Sequence, residues 1–262
     1  MALSRSTLLS HESASEPTTS SETTASFTPA NNSLLLAIVW ASGVNNDALA
    51  GGDITLTDSA GLTWTSRAVT TTHPGYGYGI RAFTAPVTTG VSITVTMDAG
   101  AFSIHKYRTQ VYQYTGHDTT TPVGATAIGS DANGTGAASI TLSAAPATTS
   151  EVIAACLTAL TGTTGAVDVG SGFSELFESG ESAWQIFQAQ SRTGSTDTNV
   201  PWANVGNGSV ALGSALLAIE IKEGPTEFSG PFSSRSSTQP PRRRRRTQSR
   251  GMTMEADVRE WW

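Results

Sequence analysis

Ser33-Leu34-Leu35-Leu36-Ala37-Ile38-Val39-Trp40-Ala41-Ser42 is apolar at almost every position. A strand wet on one face alternates apolar with polar residues, so a run without alternation belongs to a strand covered on both faces. Glu151–Leu160 reads the same way, with Val152-Ile153-Ala154-Ala155-Cys156-Leu157 at its centre. Ile93-Thr94-Val95-Thr96-Met97 alternates strictly, the mark of a half-buried strand. Two doubly covered strands among half-covered ones predict an all-β protein built as a β-sandwich.

Further candidate strands follow at a regular spacing, separated by Gly, Asn, Asp and Pro. They are Thr23–Thr28, Asp53–Thr57, Leu62–Thr70, Gly77–Ala85, Ser92–Met97, Tyr107–Thr115, Ser139–Leu142, Phe173–Glu178, Ala183–Arg192 and Val210–Lys222. The composition agrees: Gly, Thr and Ser are plentiful and only 14% of residues are charged. Those residue types favour strands and turns over helices.

Outside residues 23–223 the pattern changes. Residues 1–22 are rich in Ser, Thr and Glu without a period and predict an extended or disordered N-terminal arm. Residues 224–251 are rich in Pro, Ser and Arg and read as a linker. Residues 252–262 regain an amphipathic pattern: Met254, Val258 and Trp261 share one face of a short helix, followed by Trp262. Eleven residues do not hold a helix alone in water, so this segment is expected to gain order by docking.

The net charge of −6 hides an asymmetry. Residues 224–262 hold eight arginines and four acidic residues, a net of +4; residues 1–223 hold seven basic and seventeen acidic residues, a net of −10. An acidic body with a basic arm suits attraction between neighbouring copies. Arg242, Arg243, Arg244, Arg245 and Arg246 form the densest charge run. They could meet phosphates or an acidic protein surface. No nucleic-acid-binding motif accompanies them, so specific nucleic-acid recognition is not expected. Two tryptophans at a free end call for a pocket, and the partner-docking residues are therefore read as Arg242–Arg246, Met254, Val258, Trp261 and Trp262.

No nucleophile elbow, His-Glu-x-x-His, phosphate-binding loop or dinucleotide fingerprint is present, and neither an enzymatic activity nor a cofactor is expected. Asp131-Ala132-Asn133-Gly134 resembles the start of a calcium loop but lacks the later Glu, and reads as a turn. The single cysteine, Cys156, lies in an apolar run and reads as a buried small hydrophobe. His73-Pro74-Gly75-Tyr76-Gly77-Tyr78-Gly79 is the most distinctive loop, and His73, Tyr76 and Tyr78 offer a candidate contact surface for a glycan or a neighbouring protein. Trp40, Trp64, Trp184 and Trp202 read as core or edge packing in preference to a sugar platform.

The N-terminus lacks a sustained apolar stretch, and the longest apolar run, Leu34–Ala41, is far short of the ~20 residues that span a bilayer as a helix. The sequence predicts a soluble chain without a secretory signal and without membrane insertion.

The chain also looks like two copies of one plan, the alternative being that strands of a sandwich resemble one another in any case. Ser26–Ser33, Leu34–Trp40, Gly61–Trp64, Arg81–Ala85 and Val111–Gly116 are matched in order by Thr141–Ser150, Val152–Leu157, Gly172–Glu175, Gln185–Ala189 and Ala218–Gly224. Such a repeat implies either two related halves of one jelly-roll-like sandwich or two small packed β-domains.

Three phrases carry a resemblance to a known class: Ser26-Phe27-Thr28-Pro29-Ala30-Asn31-Asn32-Ser33-Leu34-Leu35-Leu36-Ala37-Ile38-Val39, Gly61-Leu62-Thr63-Trp64-Thr65-Ser66-Arg67 and Val111-Tyr112-Gln113-Tyr114-Thr115-Gly116. With them the body resembles the all-β, jelly-roll-like virion proteins of tailed bacteriophages. The resemblance implies a non-enzymatic structural role as a head-decoration, fibre or tail-associated subunit, made in the host cytoplasm and located in the virion. Other head or tail proteins and further copies of the chain are then the expected partners, and a terminal arm the attachment device. A carbohydrate-binding module for host attachment is the alternative, with a β-sandwich hydrolase third.

Overall fold

The apolar run at Ser33–Gly43 is a central strand, and the two ways its side chains point organise the molecule. In the computed structural model it is β3, flanked on one side by β8 (Ile104–Thr115) and on the other by β6 (Tyr78–Val87). β1 (Ser4–Glu12) adds to β8 and β5 (Thr65–Thr71) to β6, giving a five-stranded antiparallel sheet in the order β1-β8-β3-β6-β5. A three-stranded sheet is ordered β2-β7-β4, from Ser21–Thr23, Val95–Asp98 and Thr55–Asp58.

The second half of the chain supplies β9 (Val123–Asp131), β10 (Ala138–Thr141), β11 (Glu151–Thr161), β12 (Asp168–Val169), β13 (Ser174–Glu181), β14 (Gln185–Thr193), β15 (Asn199–Asn204) and β16 (Val210–Ile221). They form a five-stranded sheet, β13-β14-β11-β16-β9, and a three-stranded sheet, β10-β15-β12. Every strand pairing between these elements is antiparallel. Adding eight to each strand number of the first pair of sheets yields the second pair, neighbour for neighbour.

The structure describes residues 2–13, 20–43, 51–71, 77–102, 104–131, 136–161, 166–181, 185–205 and 210–225. Met1–Glu227 form one compact unit and Phe228–Trp262 a second, which lies outside the described residues with the linker 224–251 beyond Pro225 and the peptide 252–262.

Alternation along β3 explains why it has no polar face. Leu35, Ala37, Val39 and Ala41 point towards Ile54, Leu56, Ile93, Val95 and Met97 of the three-stranded sheet region. Leu34, Leu36, Ile38 and Trp40 point the other way, onto Ile153, Ala155 and Leu157 of β11, with Phe187, Leu217 and Ile219 beside them. On β11 the residues between those, Val152, Ala154 and Cys156, turn to a third cluster with Val200 and Trp202. Three apolar clusters result: one of β3 with Ile54, Leu56, Ile93, Val95 and Met97, one of β3 with β11, and one of β11 with Val200 and Trp202. A fully buried Leu, Ile or Phe in such clusters contributes about 1.5–3 kcal/mol from removal of apolar surface.

The expectation for residues 1–22 needs correcting. Ser4–Glu12 form β1 and pair with β8, and Ser21–Thr23 form β2 against β7. No residue of β1 is apolar and fully buried. Leu8 and Leu9 half-bury against the first half's cluster, and ladder hydrogen bonds and ionic contacts hold the rest, which is why hydrophobic periodicity gave little sign of it. The body thus begins near the start of the chain and not at Thr23.

Candidate functional site

One set of polar contacts lies where the two five-stranded sheets face each other. Antiparallel pairing sets Arg5 of β1 beside Tyr114 of β8, with Leu34 on the far side of Tyr114. From there Arg5 reaches the opposite sheet: its Nε donates to Glu151 Oε1 at 3.0 Å, and the two side chains are 22% and 7% exposed. The guanidinium also lies 5.3 Å from the ring centre of Tyr112. Burial, together with the negative charge of Glu151, holds the Tyr114 phenol well above its ordinary range.

A second ionic group sits at the other end of β1. The Glu12 carboxylate pairs with Lys106 and Arg108 of β8 and accepts a hydrogen bond from Ser179 of β13 at 3.0 Å. Burial alone would raise the Glu12 carboxyl; Lys106, Ser179 and Arg108 outweigh it and hold the group below the usual carboxylate range. Arg108 donates further to Ser10 Oγ at 2.9 Å, and Gln110 donates to the same oxygen at 2.8 Å. The Arg108 guanidinium stands 5.0 Å from the Phe177 ring, a cation–π contact.

Phe177 in turn meets Trp40 edge-on, with centroids 5.2 Å apart and planes at 88°. Trp40 is fully buried, and its indole Nε1 donates to the carbonyl of Cys156 at 3.1 Å. Thr70 of β5 donates to the Gly129 carbonyl of β9 at 2.9 Å. Each contact joins one five-stranded sheet to the other. Elsewhere in the second half, Glu220 is buried and its two oxygens accept from the Ala125 and Ala147 amides at 2.8 and 3.0 Å. The chemistry of this arrangement is cohesive: Glu12 is paired within its own sheet, Glu220 is held by backbone amides, and Arg5–Glu151, Ser179–Glu12, Trp40–Cys156 and Thr70–Gly129 tie the layers together.

Of the residues the sequence singled out, Arg242–Arg246, Met254, Val258, Trp261 and Trp262 lie outside the described residues, as do His73, Tyr76 and Trp184. Tyr78 is described: it opens β6, is half-buried, and packs against the cluster between the five-stranded sheets. Trp40 and Trp202 are fully buried, and Trp202 donates to Gln188 at 3.0 Å. Trp64 is partly buried and donates to Asp58 at 2.8 Å. Cys156 is fully buried, and burial pushes its thiol up to about 12. Asp131 belongs to β9 opposite Ser214, while Asn133 and Gly134 lie outside the described residues. Among the described residues no three His, Cys, Asp or Glu side chains are placed to hold a metal ion.

Arg5, Glu12, Lys106, Arg108 and Glu151 are not among the site residues that the sequence points to. The one available signal was charge amid apolar strand sequence: Glu151 opens an otherwise apolar run, and Lys106 and Arg108 alternate with aromatic residues on β8. No family model, curated protein or solved structure matches the chain.

Proposed function

We propose that the chain is a non-enzymatic structural protein of a bacteriophage virion, a head-decoration, fibre or tail-associated subunit present in many copies. Its body is two eight-stranded jelly-roll units stacked face to face, and its basic C-terminal arm attaches it to neighbouring virion proteins. The observation that carries this reading is the network between the five-stranded sheets. Arg5–Glu151, Ser179–Glu12 and Trp40 with Cys156 turn polar groups towards cohesion between layers, while Lys106 and Arg108 hold Glu12 from within its own sheet. That use of charge suits a body that must present a fixed surface repeatedly in an assembly.

The strand order supports the jelly-roll part of the reading. Two Greek keys folded together place strands 1-8-3-6 opposite 2-7-4-5; both halves of the chain follow that order except that the fifth strand lies beside the sixth in the larger sheet. Local sequence agrees: Pro29-Ala30-Asn31-Asn32-Ser33 leads into β3 and Pro146-Ala147-Thr148-Thr149-Ser150 into β11. Gly61 and Gly172, each just before an edge strand, have positive φ of 75° and 79°.

The test is the copy number of the chain in purified particles, measured by quantitative mass spectrometry against the major head and tail proteins. Tens of copies or more per particle are expected. Absence from particles, or trace amounts, would count against the proposal.

A further inference from the structure

Strand registers allow the two halves to be compared residue by residue. Tyr114 on β8 is flanked by Arg5 and Leu34, and Ile221 on β16 is flanked by Val123 and Glu151. Leu34 follows Pro29–Ser33 and Glu151 follows Pro146–Ser150, so these two positions correspond. Arg5 then corresponds to Val123. On the outer strands, Thr70 lies opposite Ile80 and Ser179 opposite Phe187. β6 and β14 run beside β3 and β11 with Pro86 opposite Leu34 and Thr193 opposite Glu151, which makes Ile80 and Phe187 counterparts, and with them Thr70 and Ser179.

Contacts across the stack repeat under this correspondence. Ser179 donates to Glu12 on β1, the edge strand of the first half. Thr70 donates to Gly129 on β9, the edge strand of the second half, beside Ser130, the counterpart of Glu12. One half's outer strand grips the other half's edge, and the favour is returned. That reciprocity is what a two-fold interface between like units produces.

The interface is also marked where the two sides differ. On one side Arg5 meets Glu151 as an ion pair; on the other, Val123 packs against the apolar cluster that holds Leu34. We infer that the surface between the five-stranded sheets is a dimer interface enclosed within one chain, whose fitting partner is an eight-stranded unit of the same plan, and that Arg5 and Glu151 select the unlike partner. This rests on the reading of the body as two units of one plan. A first half paired with another first half would set Arg5 against Leu34 twice. A second half paired with another second half would set Glu151 against Val123 twice. Either pairing strands charges in a largely apolar contact, whereas the unlike pairing cancels them.

The connection between the halves offers the experiment. Thr119, Thr120 and Thr121 are exposed, between the end of β8 and the start of β9. A specific protease site placed there in the full chain and then cut should leave the halves together as a 1:1 complex in native mass spectrometry. After denaturation and joint refolding of the cut protein, unlike pairs should exceed like pairs by about tenfold or more. In the double variant Arg5→Val with Glu151→Leu, which makes both sides apolar, that excess should fall to about twofold. Halves that part on cutting would overturn the interface. Like pairs as abundant as unlike pairs in the cut wild type, or an unchanged excess in the double variant, would overturn the selecting role of the ion pair. Should the double variant not refold, the wild-type ratio still decides, and the single variants Arg5→Val and Glu151→Leu must each lower it. The correspondence of registers stands whichever result is found, so failure here is separable from failure of the two-unit reading.

Discussion

Trp40 and Cys156 stand 116 positions apart in the chain, yet the indole N–H of the first donates to the backbone carbonyl of the second at 3.1 Å. Trp40 is the largest fully buried side chain on β3 and touches the opposing sheet through both this bond and the edge of Phe177. Its indole therefore supplies apolar area and a satisfied donor in one place. Trp40→Ala is expected to lower stability by about 3–5 kcal/mol, read from chemical denaturation. Trp40→Phe keeps most of the area but leaves the Cys156 carbonyl without this donor, and should lower it by about 1–3 kcal/mol. Equal, negligible effects would mean that the two sheets are not held at this point.

Acid should loosen the β1 end of the stack. The Glu12 carboxyl titrates below its ordinary range in the folded protein, so the unfolded chain binds its proton first as pH falls. Stability from this group is complete above about pH 4.5 and is lost as pH drops through the lowered folded value. His117 adds to the same trend at higher pH: burial lowers its value, so stability begins to fall below about 6.5. Glu178 acts in the opposite sense, because burial raises its carboxyl above 4.5. Glu12→Gln should lower stability at pH 7 and flatten its decline below pH 4.5, as read from thermal melts across pH. An unchanged acid limb would remove Glu12 from the account.

Cys156 should resist modification. It is fully buried, its thiol is pushed up to about 12, and its Sγ lies 3.4 Å from Thr158 Oγ1. A thiol reagent at pH 8 is expected to label it only after denaturation. Labelling of the native protein within seconds would contradict its placement between the sheets.

Removing the N-terminal strand should be costly. A chain beginning at Thr23 lacks β1, which leaves Lys106, Arg108 and Glu151 without the partners that Glu12 and Arg5 provide. Loss of one partner of a buried pair destabilises by about 3–5 kcal/mol, and the melting point should fall by about 10 °C relative to the full chain. An unchanged melting point would make β1 dispensable.

The central strands were legible in the sequence because both faces of β3 and β11 are covered, which leaves an unbroken apolar run. The outer strands were harder. β1 and β9 are edge strands with serines, glycines and charges, and Ile128 of β9 is 59% exposed. Pairing holds such strands and hydrophobicity does not advertise them. β12 escaped because it is only two residues long; β15 alternates about its buried Val200 and Trp202, but Pro201 within the run argues against a central strand. The matched order of segments could be read in the sequence, but no register could. Phe83 and Phe187 look equivalent in sequence, yet Phe83 points into the first half's own cluster and Phe187 into the one between the sheets. A one-residue difference in register moves a side chain to the other face, and only pairing fixes it. The ionic network joins residues up to 167 positions apart, and no local pattern encodes that distance.

Attachment through the C-terminal arm is the part of the functional proposal that a single measurement reaches most directly. Exposed arginine pairs are worth only about 0–1 kcal/mol each and are screened by salt, so Arg242–Arg246 should steer association. Met254, Val258, Trp261 and Trp262 should provide the durable contact. The measurement is incorporation into particles, in a complementation assay, of the full chain and of a chain lacking Met252–Trp262. The account requires the shortened protein to be folded in the cell extract and missing from particles. Normal incorporation of the shortened protein would contradict it.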